Sequence, residues 1–351
     1  MREGAELPVG RETSAWIDGA PASFDAAVAE AARLLSLSAA PLFAHIGADV
    51  AGLREAVLLA EHTGAVLDHA DSQALFTDLD PVRESGAMLT TPLEAARADV
   101  LLLVGDGVFD AWPELGSRLI DRLPGGSRVV WLTGSAGERF ESIAIGTGVA
   151  RLEALGRLRA EAKLRPLVST PPALRALAQS LRAAKFGVVV WSGADLEPLA
   201  VEAIHGLVRD LNETTRFSTL PLAPPDACAA EAVCGWMTGF PPRTGFARGQ
   251  PEHDPWRYDS RRMAAAGEAD CLVWVSAFAR AAPGAVDVAL TLDETPAKVC
   301  FAVGRPGVDH DAILYDPGVG TFVARPAATP AGRSVAQTLA AIRTRLGGPP
   351  C

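Results

Sequence analysis

The residues best suited to chemistry lie in a few short stretches. Asp309-His310-Asp311, inside Gly307-Val308-Asp309-His310-Asp311, is the densest cluster of titratable groups. A His between two carboxylates suits a catalytic base with a raised pKa, or a metal ligand. The same carboxylates equally suit hydrogen bonds to backbone around the turn that Pro306-Gly307 sets. His69-Ala70-Asp71-Ser72 offers a general base or a metal ligand, or simply a solvated loop. The stretch from Pro241 to Gly249 carries two guanidinium forks, Arg243 and Arg248, of the kind that grip carboxylates or phosphates. A solvated loop, or one docked on a partner, fits the same residues. Gly105-Asp106-Gly107 lacks the third glycine of a dinucleotide fingerprint, because position 110 is Asp. It reads as a tight strand-to-helix turn. No G-x-S-x-G, P-loop lysine, HExxH or EF-hand loop occurs.

The elements that must position these groups alternate between strand and helix. Ala15-Trp16-Ile17-Asp18-Gly19 reads as a strand ending in an Asp-Gly turn, with Ser23 capping the helix that follows. Apolar runs at 41–46, 65–67, 98–104 and 128–132 read as strands, the residues 140–146 as one more. Helices are expected from Gly47-Ala48-Asp49 to about 63, over about 111–123, and over 149–163. Residues 68–91 read as a polar, turn-rich loop. The second half repeats the plan: strands at 186–192, 269–275 and 298–303, with Gly193-Ala194-Asp195 expected to open a helix to about 211. The recurring order suggests an internal duplication. Fully apolar strands between helices imply parallel sheets covered on both faces. The expected fold is therefore α/β, two doubly wound, Rossmann-like domains of mainly parallel sheet. The expected division is an N-terminal hairpin over 1–25, a first domain over 26–168 and a second over 169–351. Ligands on such sheets sit at the C-terminal strand ends, where the strand order reverses. The loops that matter are then 47–49, 68–91, 105–112, 193–195, 218–262 and 303–318.

Composition excludes several classes. The 351 residues are 49% apolar and 21% charged, which is ample for a core and unlike a disordered chain. No apolar run approaches the roughly 18–20 residues of a membrane span. A net charge of −10 with no basic tract disfavours nucleic acid. The cysteines, Cys228, Cys234, Cys271, Cys300 and Cys351, are odd in number, widely spaced and without a CxxC pair. That pattern points to a reducing compartment, and away from thiolate zinc or iron–sulfur sites. The first 19 residues contain no apolar signal segment, so a cytoplasmic protein is expected.

Several stretches together carry a family resemblance. They are Ala15-Trp16-Ile17-Asp18-Gly19, Arg97-Ala98-Asp99-Val100-Leu101, Leu207-Val208-Arg209-Asp210-Leu211-Asn212, and Gly235-Trp236-Met237-Thr238-Gly239-Phe240-Pro241 with Ala247-Arg248-Gly249. The run from Ala302 to Asp311, with Tyr315, completes them. In this order the chain resembles the B subunit of formylmethanofuran dehydrogenase, a relative of the molybdopterin oxidoreductases, from about residue 14 to 325. The redox members of that family carry a Cys or selenocysteine that ligates molybdenum or tungsten, and a Cys set for an iron–sulfur cluster. Here the corresponding loop is Asp68-His69-Ala70-Asp71-Ser72-Gln73, and no Cys precedes position 228. A soft metal on dithiolene wants a thiolate or selenolate. The chain is therefore similar to the family's version without these centres, the B subunit of the formyltransferase/hydrolase complex of methylotrophic bacteria.

The resemblance implies a non-catalytic structural subunit, with no molybdopterin, tungsten or iron–sulfur cluster and no metal. Its partners would be an amidohydrolase-like formyl-methanofuran hydrolase subunit, a formyltransferase subunit and a further structural subunit. That complex moves formyl from a tetrahydromethanopterin carrier to a methanofuran analogue and releases formate in one-carbon metabolism. Two alternatives stand beside it. One is an enzyme using the vestigial cofactor cleft, with Asp71, Ser72, Asp309, His310 and Asp311 as candidates. The other is a carrier-binding module in which Arg243 and Arg248 hold the carrier.

Overall fold

A computed structural model describes residues 14–134, 140–165 and 167–347. The chain divides into two units, and each takes its residues from separate parts of the sequence. The first comprises residues 14–72, 225–315 and 322–347, the second residues 73–224 and 316–321. The chain enters the first unit through β1 (Ala15–Ile17), β2 (Ala20–Pro21), β3 (Pro41–Gly47) and β4 (Val66–Leu67). It then builds the second unit's sheet from β5 (Val100–Val104), β6 (Arg128–Thr133), β7 (Glu141–Ala144), β8 (Gly187–Trp191) and β9 (Phe217–Pro221). It returns to the first through β10 (Thr244–Gly245), β11 (Glu252–His253), β12 (Cys271–Ser276), β13 (Val286–Thr291) and β14 (Ala297–Ala302).

The boundaries at 25, 168 and 169 are therefore corrected, and Cys351 and residues 1–13 lie outside the described residues. The physical reason is strand pairing. β3 pairs in parallel with β12, and β5 with β8, so the two halves of the sequence exchange strands instead of folding separately. All five residues of β5 and of β8 are buried, which a parallel sheet with helices on both faces requires.

In the second unit the sheet order is β7-β6-β5-β8-β9 and every pairing is parallel. Numbered within the unit, that is 3-2-1-4-5, a doubly wound order with its reversal between β5 and β8. In the first unit β4-β3-β12-β13-β14 are parallel neighbours, an order of 2-1-3-4-5 with its reversal between β3 and β12. Antiparallel strands extend both edges, β10 and β11 beyond β4, and the β1–β2 hairpin beyond β14. That hairpin turns on Asp18 and Gly19, both at positive φ, as a two-residue turn demands. Ser23 then caps the helix Phe24–Leu37 as expected, accepting the N–H of Ala26.

Three local expectations differ from the structure. Residues 72–85 form a helix, not a loop, because Leu75 and Phe76 are buried and tertiary packing outweighs the polar composition. The helix expected over 111–123 is broken into the short turns Val108–Ala111, Leu115–Arg118 and Ile120–Arg122 around Pro113, which cannot donate a helical hydrogen bond. The tripeptide Gly193-Ala194-Asp195 does not open a helix. That helix runs Pro198–Leu211 with Glu197 at its N-cap position. By contrast, Asp49 caps the helix Val50–Thr63 through the N–H of Gly52.

The second unit's core holds one buried acid whose protonation controls stability. Asp78 accepts the indole N–H of Trp191 at 2.8 Å and the N–H of Gly193 at 3.3 Å. Burial nonetheless pushes its carboxyl up to about 7. An unfolded Asp titrates near about 3.9. The folded state thus holds its proton more tightly. The stability this supplies is fully present below about pH 4 and is lost as pH rises through about 7. Every tenfold difference in proton affinity between the two states is worth about 1.4 kcal/mol. Urea unfolding followed from pH 4.5 to 8 is expected to show this decline, and Asp78→Asn is expected to flatten it. An unchanged slope in the variant would remove Asp78 as its source.

Candidate functional site

The first unit gathers its titratable groups at the C-terminal ends of β3, β4 and β12, beside the β3/β12 reversal. A bulge sets the geometry. Phe43 pairs with Val273 but His45 pairs with Trp274, so Ala44 is one residue extra in β3. Phe43 and Ile46 then enter the helix-covered core, while Ala44 packs on the opposite face. His45 lies against Trp274 there, with ring centroids 4.7 Å apart.

His69 follows β4 directly, its ring centroid 4.4 Å from that of His45. Both imidazoles are completely buried. Asp226, in the first turn of the helix Pro225–Thr238, brings its carboxylate to 3.4 Å from His69 Nε2. Each of His45, His69 and Asp226 presents a donor atom within 4.8 Å of the other two. Burial holds the His45 imidazole well below the ordinary histidine range, with the nearby His69 and Arg280 acting in the same direction, so it is neutral. The His69 ring bonded to it, and then the charges of His69, His45 and Arg280, overcome the desolvation of Asp226 and hold its carboxyl down at about 2. His45 Nδ1 accepts the N–H of Ala70 at 3.4 Å, and His69 Nδ1 that of Asp71 at 3.1 Å. The Nε2 atom of His45 makes no hydrogen bond.

The other candidates are absorbed by structural contacts. Asp71 forms a two-point ion pair with Arg280, at 3.1 and 2.5 Å. Ser72 is fully buried and donates to Asp68 at 2.6 Å. Asp309 accepts the N–H of Arg305 and Asp311 that of Ala327, while His310 Nδ1 lies 2.9 Å from the carbonyl of Asp311. The backbone-bonding alternative for this turn is the one the structure contains. Arg243 is buried, at φ 66°, and is paired with Asp259 at 2.5 Å and Asp68 at 3.7 Å. It is not a free loop cation. Arg248 is exposed and paired with Glu252 at 3.0 Å. In the second unit, Gly105-Asp106-Gly107 is the tight turn expected.

The loop 68–73 offers no thiolate, and its first carboxylate is fully engaged. Asp68 accepts from the N–H of His69 and of Ser260, both at 2.8 Å, besides the Ser72 hydroxyl. Cys234 and Cys271 are buried with their thiols pushed up to about 12, so they stay protonated. Three members of the site were missed from sequence. His45 carried a usable signal, a titratable residue inside the apolar run Pro41–Gly47, near the C-terminal end of a parallel strand. Asp226 and Arg280 carried none, since an acid after a helix-opening Pro and an Arg after a strand are commonplace.

Comparison with known proteins now separates the possible families. No family model matches the chain. The Fhc B subunit of the formyltransferase/hydrolase complex from Methylorubrum extorquens is 37% identical over 359 residues, covering 95% of this chain and 98% of the relative. The chain belongs to the Fhc B-subunit family. A chain of the crystal structure of the formyltransferase/hydrolase complex (FhcABCD) from Methylorubrum extorquens, in complex with methylofuran, has the same fold. It superposes with a TM-score of 0.85 at 35% identity, over 95% of this chain and 98% of that one. The mixed α/β architecture with parallel sheets is that of this family. Among the described residues no helix is long and apolar enough to cross a membrane.

Asp68 is the keystone of the site's loop. Asp68→Ala removes, in a buried place, the acceptor of the Ser260 N–H and of the Ser72 hydroxyl, one of two acceptors of the His69 N–H, and one of the two carboxylates beside Arg243. The expected loss is about 3 kcal/mol in chemical denaturation. Asp68→Asn, which keeps one acceptor oxygen, is expected to fall between. A loss in Asp68→Ala no larger than that of an ordinary surface substitution, about 0.5 kcal/mol, would contradict this reading.

Proposed function

We propose that the chain is a structural, non-catalytic subunit of a formyltransferase/hydrolase complex. In that complex formyl passes from a tetrahydromethanopterin carrier to a methanofuran analogue and leaves as formate. The observation that carries the reading is the near-complete mutual coverage with the Fhc B subunit, 95% and 98%. The donor chemistry supports it. The loop that would ligate a dithiolene-bound metal holds Asp68, whose oxygens are spent on backbone and Ser72. A carboxylate so engaged is a poor ligand for a soft metal. The residues present therefore do not fit a molybdenum or tungsten pterin, and no step is assigned to one.

The partners in this proposal are a formyltransferase subunit, an amidohydrolase-like hydrolase subunit and a further structural subunit, with the reaction on the partners. The carrier-binding alternative loses Arg243, which its own acids neutralise. The enzyme alternative at Asp309, His310 and Asp311 loses both carboxylates to backbone.

Purification of the tagged chain from its host is expected to bring formyltransferase and hydrolase subunits with it in fixed ratio. Recovery of the chain alone would sink the proposal. In the assembled complex, His310→Ala is expected to leave formate production within about twofold. A fall of about 10²-fold with assembly intact, the size of a lost acid–base group, would favour the enzyme reading instead.

A further inference from the structure

The contacts of the three converging groups of the first unit leave one side of the cluster unexplained. Asp68, Asp71, Ser72 and Arg243 each close a pair or a hydrogen bond. By contrast, the buried Nε2 of His45 makes no hydrogen bond, and that of His69 is met by the Asp226 carboxylate at 3.4 Å. The Asp226 carboxylate, largely removed from water, faces the His69 edge at 3.4 Å. Burying unpaired polar atoms is costly, and native folds rarely do so without a partner for them. Here one unpaired imidazole nitrogen and the His69–Asp226 pair lie within 4.8 Å of one another.

We propose that His45, His69 and Asp226 bind one divalent transition-metal ion of the zinc class. Two imidazole nitrogens and one carboxylate oxygen are the donor types such ions select, and three protein ligands leave a further coordination position. Asp226 also lines a pocket of about 270 Å³ walled by Ala48, Ala229, Phe278, Leu314 and Tyr315. The pocket gives the ion a route in and room for a water or a small ligand beside it. The nearby Arg280 does not oppose the ion, because Asp71 neutralises it through two contacts.

Uptake has a definite internal cost. Both Nδ1 atoms accept backbone N–H groups, so each ring carries a proton on Nε2, that of His69 facing the Asp226 carboxylate. Coordination through Nε2 moves that proton to Nδ1 within the same ring, and no proton is released. The N–H groups of Ala70 and Asp71 must then turn away. This gives the site a signature that a passive polar cluster lacks. The inference is independent of whether the chain assembles with partners.

The untagged full-length chain, stripped with a chelator, is titrated with Co²⁺. The expected result is saturable uptake of one ion per chain, with visible ligand-field absorption, no intense thiolate band, and displacement by Zn²⁺. Imidazole ¹⁵N shifts of two histidines are expected to report protonation moving from Nε2 to Nδ1. His69→Gln and Asp226→Asn, with unchanged circular dichroism, are each expected to bind at least tenfold more weakly. Absence of saturable uptake, the outcome if the three groups hold only water, overturns the proposal. So does equal uptake in both variants, which marks a surface-bound ion. Where the variants do not fold, X-ray absorption on the unsubstituted chain decides. A shell with two imidazoles supports the proposal and a shell with none overturns it.

Discussion

The structure depends on one requirement, that backbone N–H groups at the C-terminal ends of parallel strands find acceptors. In doubly wound sheets that bind nucleotides or pterins, the anionic ligand supplies them. Here the chain's own carboxylates do. In the second unit, Asp195 accepts the N–H of Asp106 at 2.7 Å, Asp106 accepts that of Gly134 at 3.1 Å, and Asp78 that of Gly193. In the first, Asp68 ties together the N–H groups of His69 and Ser260. Each such carboxyl group satisfies a backbone donor at a strand end.

The strand-end carboxyl groups and the core answer to different demands. The parallel core needs only continuous apolar strands and the helices that cover them. The crevice at the strand ends is a separate design problem, solved here by short acidic side chains. They shape the crevice from within. The acidic balance of the sequence, −10 overall, is in part this internal use of Asp.

How much of this was legible beforehand differs by element. The strands of the second unit were plain, because runs such as Val100–Val104 and Gly187–Trp191 are apolar on both faces. Caps with a local mechanism were also legible, as Ser23 and Asp49 show. The partition into units was not. It depends on which strand pairs with which, and β3 meeting β12 is a contact across more than two hundred residues that periodicity does not encode. The site was half legible for the same reason. His69 and Asp71 stood out as neighbours in sequence, while His45, Asp226 and Arg280 reach them only through the fold. Arg243 misled, because a charged side chain in a glycine- and proline-rich stretch looks free until its partner is seen.

The bulge at Ala44 lets two consecutive residues of β3, Ala44 and His45, face the same side of the sheet, which plain alternation forbids. Phe43 before it and Ile46 after it therefore both stay in the helix-covered core, while His45 keeps its place against Trp274. Closing the bulge with every residue kept would pair Ala44 with Trp274, turn His45 into the hydrocarbon between sheet and helices, and bring Ile46 onto the opposite face. Removing Ala44 would instead leave His45 and Ile46 where they are. The polar and apolar sides of this unit are thus kept apart by one surplus residue in seven.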